Sequence, residues 1–281
     1  YRFVIGLCKK VLIANTVAEV ADQIFNTNIG NISTPYAWLG MLAYTFQIYF
    51  DFSGYSDMAI GMGKMLGFKY PENFDNPYTS SSITEFWKRW HMTLGSWMKN
   101  YLYIPLGGNK VDTKKRLFFN LWFVFLLSGF WHGAAWTFIF WGAYHGVFLI
   151  LERWFLLDIY KKLGKIIPVI VTFFVVAIGW VFFRADSFSF AFAYLKKLIS
   201  FDFKMMYIFP DNEFIFYFIL AAVFSFITLF SFGKKIQNKL YFSYYSLGGY
   251  SIATVVSVAL FMICLASVSS STFNPFIYFR F

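Results

Sequence analysis

Charge is what this sequence has least of. Asp, Glu, Lys and Arg together make up 14% of its 281 residues, where a soluble domain carries about 25%. That shortfall excludes an ordinary water-soluble globule. Cysteine is nearly absent as well. Cys8 and Cys264 are far apart in sequence and lie in apolar surroundings, which excludes a disulfide framework and any metal-binding Cys spacing. With only three histidines, none at ligand spacing from another His or Cys, no metal site is expected. A nucleotide-binding loop is missing too, because Gly61-Met62-Gly63-Lys64 lacks both the P-loop spacing and its terminal Ser or Thr.

What is present is apolar and aromatic. Hydrophobic residues make up 59% and aromatics 25% of the chain, a balance that suits lipid contact and interfacial anchoring. The apolar runs are continuous rather than short and alternating, so they read as helices and not as barrel strands. The fold class expected is all-α: a polytopic transmembrane helical protein with re-entrant or interfacial helices, its neighbours being membrane lipid. A net charge of +10 does not indicate nucleic acid, since the basic residues form short clusters between apolar runs, the positive-inside arrangement. The opening YRFVIGLCKKVLIAN has no Met and no signal pattern, and reads like the middle of a larger protein with N-terminal helices missing. Residues 1–281 are expected to form one membrane domain, the C-terminal part of that protein.

Along the chain, residues 3–26 predict a tilted or interfacial helix interrupted by Lys9 and Lys10. Residues 36–68 predict one long span or two short ones carrying Asp51, Asp57 and Lys64. Intramembrane carboxylates are candidate functional groups, against the alternative that they cap or pair locally. Asp57 and Lys64, seven apart, lie near one helical face. The stretch YPENFDNPYTSSS (70–82) predicts a loop, and Ser82 followed by Glu85 predicts a capped helix start. That helix would be amphipathic, with Trp87, Trp90, His91, Leu94 and Trp97 on one side, and would stop at Pro105 and Gly107-Gly108. Further spans are expected at 117–132, 134–157, 166–183, 214–232 and 247–268, with loops at 184–213 and 233–246.

Alternation of sides puts the clusters at 109–116, 153–165 and 233–239 on one face, with eleven basic residues, against four on the other. The first face is therefore expected to be cytoplasmic. A helix leaving it at Leu117 reaches His132 after roughly 22 Å, inside a hydrocarbon core about 30 Å thick.

His132 is the candidate for chemistry. It stands in LFFNLWFVFLLSGFWHGAAW (117–136), from which every other titratable side chain is absent, and an imidazole there is costly unless partnered or used. Aromatics precede it and Gly133-Ala134-Ala135 follow. The alternative is a core histidine holding a helix bend at Gly129 and Gly133. A neutral imidazole can take the proton from an acceptor hydroxyl as that oxygen attacks an activated acyl carbonyl. His91, among tryptophans, reads by composition as an interfacial residue. His145, in FWGAYHGVF, reads as structural or lipid-interfacial.

The ordered succession YFDFSGYSDMAIGMGKMLGF (49–68), PENFDNPY, ITEFWKRWHMTLGSWMKNYLYIPLGG (83–108), LSGFWHGAAWTFIFWGAYHG (127–146), GWVFFRADS (179–187) and FNPFIYFRF (273–281) resembles the membrane-bound O-acyltransferase family, and within it the alginate O-acetyltransferase branch. The resemblance covers nearly the whole chain. It implies that His132 is the catalytic histidine of a membrane-embedded funnel and His91 a second histidine near the acyl-donor path. Trp87, Trp90, Trp131 and Asn76 are then walls of a donor or acceptor passage, by proximity in sequence. It further implies a bacterial cytoplasmic (inner) membrane location with several passes, and no bound cofactor. The resemblance implies as substrate an acyl thioester, acetyl-coenzyme A or an acyl carrier protein, and as partners an exported or cell-surface polysaccharide and an SGNH-like extracytoplasmic acyltransferase. Teichoic acid D-alanylation proteins share the FDF-GY, FW-RWH and WHG elements, but YIPLGGNK follows the alginate branch. Non-enzymatic alternatives are a transporter using Asp51 and Asp57, or a scaffold. Tyr278, a phenol in FIYFRF, is a candidate acyl relay, with an interfacial anchor as its plainer reading.

Overall fold

Inside a bilayer the backbone must satisfy its own hydrogen bonds, and helices do so within one segment. The computed structural model of the chain describes residues 1–204, 208, 210–242 and 245–270, and among these the regular structure is helical, without a strand. In chain order the helices are α1 (Arg2–Cys8), α2 (Asn15–Phe25), α3 (Thr34–Met65), α4 (Ile83–Arg89), α5 (Met92–Met98), α6 (Lys114–His132), α7 (Trp136–Leu151), α8 (Leu157–Lys162), α9 (Ile166–Arg184), α10 (Phe188–Leu198), α11 (Asn212–Phe226), α12 (Ser231–Phe242) and α13 (Leu247–Ser270). Among the described residues, three segments are long and apolar enough to cross a membrane: Ile166–Arg184, Asn212–Leu229 and Leu247–Ser270.

Of the two readings of the 36–68 run, the structure has the single helix, α3, 32 residues long. Other expectations change. The interruption at Lys9 and Lys10 is a π-turn, Lys9–Ala14, that joins α1 to α2 without a break in the helical path. The stretches 184–213 and 233–246, expected as loops, contain α10 and α12. Ser187 Oγ accepts from the Phe190 amide at 3.2 Å and starts α10, a cap that the sequence carries but that the apolar-run reading passed over.

The chain divides into two units. One comprises Tyr1–Asn26, Leu42–Asn73 and the described part of 207–280. Here α1 lies against α3 with descending register: Arg2 pairs with Asp57 and Lys10 with Asp51, so the helices are antiparallel. Glycine permits the close approach, since a Cβ on Gly6 would stand 2.7 Å from the Met58 backbone nitrogen. Arg2 bridges Asp57 at 2.6 Å and Glu72 at 2.5 Å, Lys9 reaches Asp57 at 2.7 Å, and Lys10 reaches Asp51 at 2.7 Å. The carboxylates are thus neutralised locally, and Asp57 takes Arg2 and Lys9 as partners in place of Lys64. Cys8 and Cys264, remote in sequence, meet with their Sγ atoms 3.5 Å apart as free thiols.

Lys10 and Asp51 are both buried, so breaking the pair strands a charge. Lys10→Leu is expected to cost about 3–5 kcal/mol, whereas Lys10→Leu with Asp51→Leu costs far less because both charges leave together. Thermal unfolding of the detergent-solubilised protein checks this, and equal losses in the single and double variants would contradict it.

The other unit comprises Thr27–Met41 and the described part of 74–206. Its centre is a hairpin of α6 and α7, turned at Gly133–Ala135 and packed through glycine. A Cβ on Gly142 would collide with the Phe125 carbonyl, and one on Gly129 would collide with the Phe138 carbonyl and stand 3.2 Å from Gly142 Cα. Helix α9 packs on α7 and α10 on α9, with Phe140 against Phe182 at 4.5 Å between ring centroids and Phe182 against Phe192 at 5.4 Å. The end of α10 is tied to the first turns of α3: Trp38 Nε1 donates to the Leu198 carbonyl at 2.9 Å, and Tyr194 Oη donates to the Ala37 carbonyl at 2.8 Å.

Candidate active site

The site is assembled in the second unit from the 70s loop and helices α4, α6, α7 and α9. Helix α4 begins as its sequence predicts, with Ser82 Oγ accepting from the Glu85 amide at 3.0 Å. The reciprocal half of the capping box is displaced by one residue: the Glu85 carboxylate receives the Ser81 amide at 2.7 Å and the Ser81 hydroxyl at 2.8 Å. A second carboxylate, Glu152, comes from the turn after α7 and takes the Ile83 amide, the Thr84 amide at 2.8 Å and the Thr84 hydroxyl at 2.7 Å. The orphan donors of a helix start are thereby satisfied by two acids.

The predicted long amphipathic helix ends early. Helix α4 stops at Arg89, and α5 restarts at Met92 after His91, whose backbone is left-handed at φ +46°. The side shared by Trp87, Trp90, His91, Leu94 and Trp97 on a continuous helix therefore does not exist as one face. The break is held from outside. The Asp75 amide donates to the Arg89 carbonyl at 3.0 Å, and Arg89 Nη1 donates to Thr79 Oγ1 at 3.0 Å while pairing with Glu85 at 2.6 Å. Asn76 is left-handed too, at φ +47°. Such conformations cost about 1 kcal/mol or more in a non-glycine residue and collect at functional sites.

His132 is the last residue of α6, half-buried, at the hairpin turn. Its ring meets Trp131 at 5.0 Å, Trp141 at 5.2 Å and Phe183 at 5.1 Å between centroids, each edge to face. Among the described residues no side chain hydrogen-bonds its nitrogens. His91 lies in the neighbourhood of His132, and its own Nδ1 lies 3.4 Å from Thr93 Oγ1. The arrangement is an imidazole with free nitrogens, walled by aromatics and open on one side. It can take or return a proton where water is scarce.

The other candidates fall at different distances from this centre. Trp87 packs on Trp141 at 5.4 Å. Trp90 reaches it through Trp180, at 5.0 Å, which stacks on Trp141 at 5.7 Å. Trp131 touches His132 and is otherwise exposed. Asn76 starts the short turn Pro77–Thr79 and donates to Asp75 Oδ1 at 3.0 Å. No contact between Asn76 and His132 is seen among the described residues. Tyr278 lies outside the described residues. His145 does not face lipid: it is fully buried, in ring contact with Trp87, Trp141 and Tyr144.

Trp141, Phe183 and Glu152 were not singled out from sequence. Glu152 could have been, as a lone acid ending an apolar run. Trp141 could not, because its central place depends on the hairpin turn.

The membrane-bound O-acyltransferase family model matches residues 1–161, a stretch that contains His91, His132, His145 and Glu152. Over 200 residues the chain is 50% identical to the probable alginate O-acetylase AlgI of Azotobacter vinelandii, covering 71% of this chain and 40% of that one. It is 46% identical over 203 residues to the peptidoglycan O-acetyltransferase of Helicobacter pylori, covering 71% and 38%. The teichoic acid D-alanyltransferase of Bacillus subtilis is 32% identical over 204 residues, 67% of this chain and 49% of that protein. The chain thus spans less than half the length of these curated relatives, but the family match runs through more than half of the chain itself. The chain belongs to the membrane-bound O-acyltransferase family.

Proposed function

We propose that the protein to which this chain belongs is a multi-pass O-acyltransferase of the bacterial cytoplasmic membrane. It moves an acetyl group from a cytoplasmic thioester, on coenzyme A or an acyl carrier protein, to a hydroxyl of an exported or cell-surface polysaccharide. The observation that carries this reading is the half-open, aromatic-walled imidazole of His132 at the α6–α7 turn. His132 takes the proton as the acceptor oxygen attacks the thioester carbonyl. The tetrahedral intermediate collapses, the C–S bond breaks, and the departing thiolate recovers the proton. A base suits this step because the attacking alcohol is a poor nucleophile while protonated.

In the same reading His91 positions the donor or the base, and Trp87, Trp90, Trp131 and Asn76 line the passage. Residues 1–281 act as one functional domain, and an SGNH-like extracytoplasmic acyltransferase receives or hands on the acetyl group. The relatives' names support an acetylated glycan as product. A D-alanyl cargo is the second reading, favoured by the likeness to the teichoic acid enzyme. The test is to incubate membranes with labelled acetyl-coenzyme A and extract surface glycan: label with the wild type and none with His132→Ala is expected. Label on glycan from alanyl donor alone would replace acetyl by D-alanyl, and equal labelling by both proteins would remove His132 as the base. In a two-step form of the scheme the Tyr278 phenol oxygen is the first acceptor, and the glycan hydroxyl then attacks that aryl ester and releases the phenol; Tyr278→Phe should stall label before the glycan, and unchanged glycan labelling leaves direct transfer.

A further inference from the structure

His145 is the imidazole that this chemistry leaves unused, and its setting is hard to explain as packing alone. It is fully buried, and neither Nδ1 nor Nε2 has a hydrogen-bond partner among the described residues. The indole Nε1 atoms of Trp87 and Trp141 are likewise buried without a partner. These three rings touch one another: His145 lies 5.0 Å from Trp87 and 5.1 Å from Trp141, and the two indoles are 5.4 Å apart. Four unpaired polar atoms therefore gather where α4, α7 and α9 meet. An apolar side chain would strand no polar group there, so hydrogen bonding does not account for the histidine.

The surrounding backbone is fitted to this ring. A Cβ on Gly179 of α9 would stand 2.8 Å from His145 Nε2, so only glycine leaves room for the imidazole there. Trp141 connects the cluster to the candidate base. It is itself buried and lies in edge-to-face contact with both His145 and His132, at 5.1 and 5.2 Å. An edge-to-face contact orients both rings, because the quadrupole of one favours a particular edge of the other. The orientation of Trp141 fixes one wall against which the His132 ring rests.

We infer that His145 is a positioning residue for His132: its nitrogens, bonded to no side chain, polarise the ring that meets Trp141 edge to face and so set the orientation of Trp141, and Trp141 sets that of the His132 imidazole. The inference rests on His132 being the base. It predicts a separation of stability from rate. His145→Phe keeps an aromatic ring and removes the unpaired nitrogens, and the gain from no longer stranding them offsets the crowding by the larger ring, so the full-length protein in detergent should unfold within a few degrees of wild type. Its kcat for transfer from labelled acetyl-coenzyme A, or from an acetylated carrier protein in a parallel arm, should fall about 10-fold to 100-fold, as misplacement of a catalytic group does. KM for the donor should not change. Trp141→Phe should lower kcat in the same way, and combining it with His145→Phe should add little, since both remove one coupled element.

A His145→Phe protein with wild-type kcat overturns the inference, and so does a double variant whose losses multiply. His132→Ala, run alongside, separates the two ideas. If it retains activity, the base assignment fails. If it is inactive while His145→Phe is fully active, only the positioning role fails.

Discussion

Replacing His132 with alanine is expected to lower acetyl transfer by about 10²–10⁴-fold, the range over which a positioned general base acts. That corresponds to roughly 3–5 kcal/mol of transition-state stabilisation. The fall should appear in kcat, with donor KM little changed, because the imidazole acts on a proton that moves only in the transition state. The geometry argues for a clean result. His132 ends its helix, is half-buried, and donates no hydrogen bond that holds another described element. Its loss should therefore leave protein level and thermal midpoint close to wild type. His132→Gln keeps a polar side chain of similar reach but cannot take a proton at neutral pH, and should be as inactive as alanine. The measurement is steady-state transfer with the full-length protein in membranes, normalised to protein amount. A His132→Gln protein within threefold of wild type would sink the general-base role.

His132 could be found from sequence because it is the sole titratable group in an apolar stretch, an anomaly legible without a fold. His91, among tryptophans, reads by composition as an interfacial anchor, and only the family resemblance singles it out. How the two are brought near each other is not legible there, since it depends on a backbone break at His91 that lacks the usual Gly or Pro. That break is imposed by the 70s loop, through Asp75 and Thr79, and tertiary contacts override the local helical pattern.

His145 was harder for a different reason. In a soluble helix an inward face is marked by contrast with a polar outward one. Helix α7 is apolar all round, so nothing in its pattern separates the side facing protein from the side facing lipid. Gly142 and Gly146 were the available clue, because small residues four apart allow another helix to come close, and α6 does come close along them. The thiols of Cys8 and Cys264 show the same limit over a longer range. They are 256 positions apart, and no local spacing anticipates their meeting. The elements that sequence did place well were those with a local cause, such as the Ser82 cap and the long run that became α3.

Glu152 carries the second large expectation, and it joins stability to function. The residue is 1% exposed, and its carboxylate collects three donors from the start of α4. Hydrogen bonds to an ionised group contribute about 1.5–3 kcal/mol each when tested singly, and buried donors left unpaired add a penalty. Glu152→Ala should therefore destabilise the protein by about 3 kcal/mol or more, read as a fall in the thermal midpoint in detergent. Glu152→Gln keeps one acceptor oxygen but turns an amide NH₂ toward N–H donors, so it should fall between alanine and wild type. The consequence for transfer follows from what the cap connects. Helix α4 carries Trp87, and α7 carries Trp141, which stands against His132. Loosening the start of α4 lets Trp87 shift against Trp141, and the wall behind the imidazole loses its fixed place. The folded fraction of Glu152→Ala should thus be slower in kcat by about 10-fold, since an error of an ångström in a catalytic group can cost up to about 100-fold. A variant that is destabilised but fully active per folded molecule would show that the cap serves α4 alone. One that is neither destabilised nor slower would show that the two acids at this helix start are redundant, with Ser82 and Glu85 sufficient to hold it.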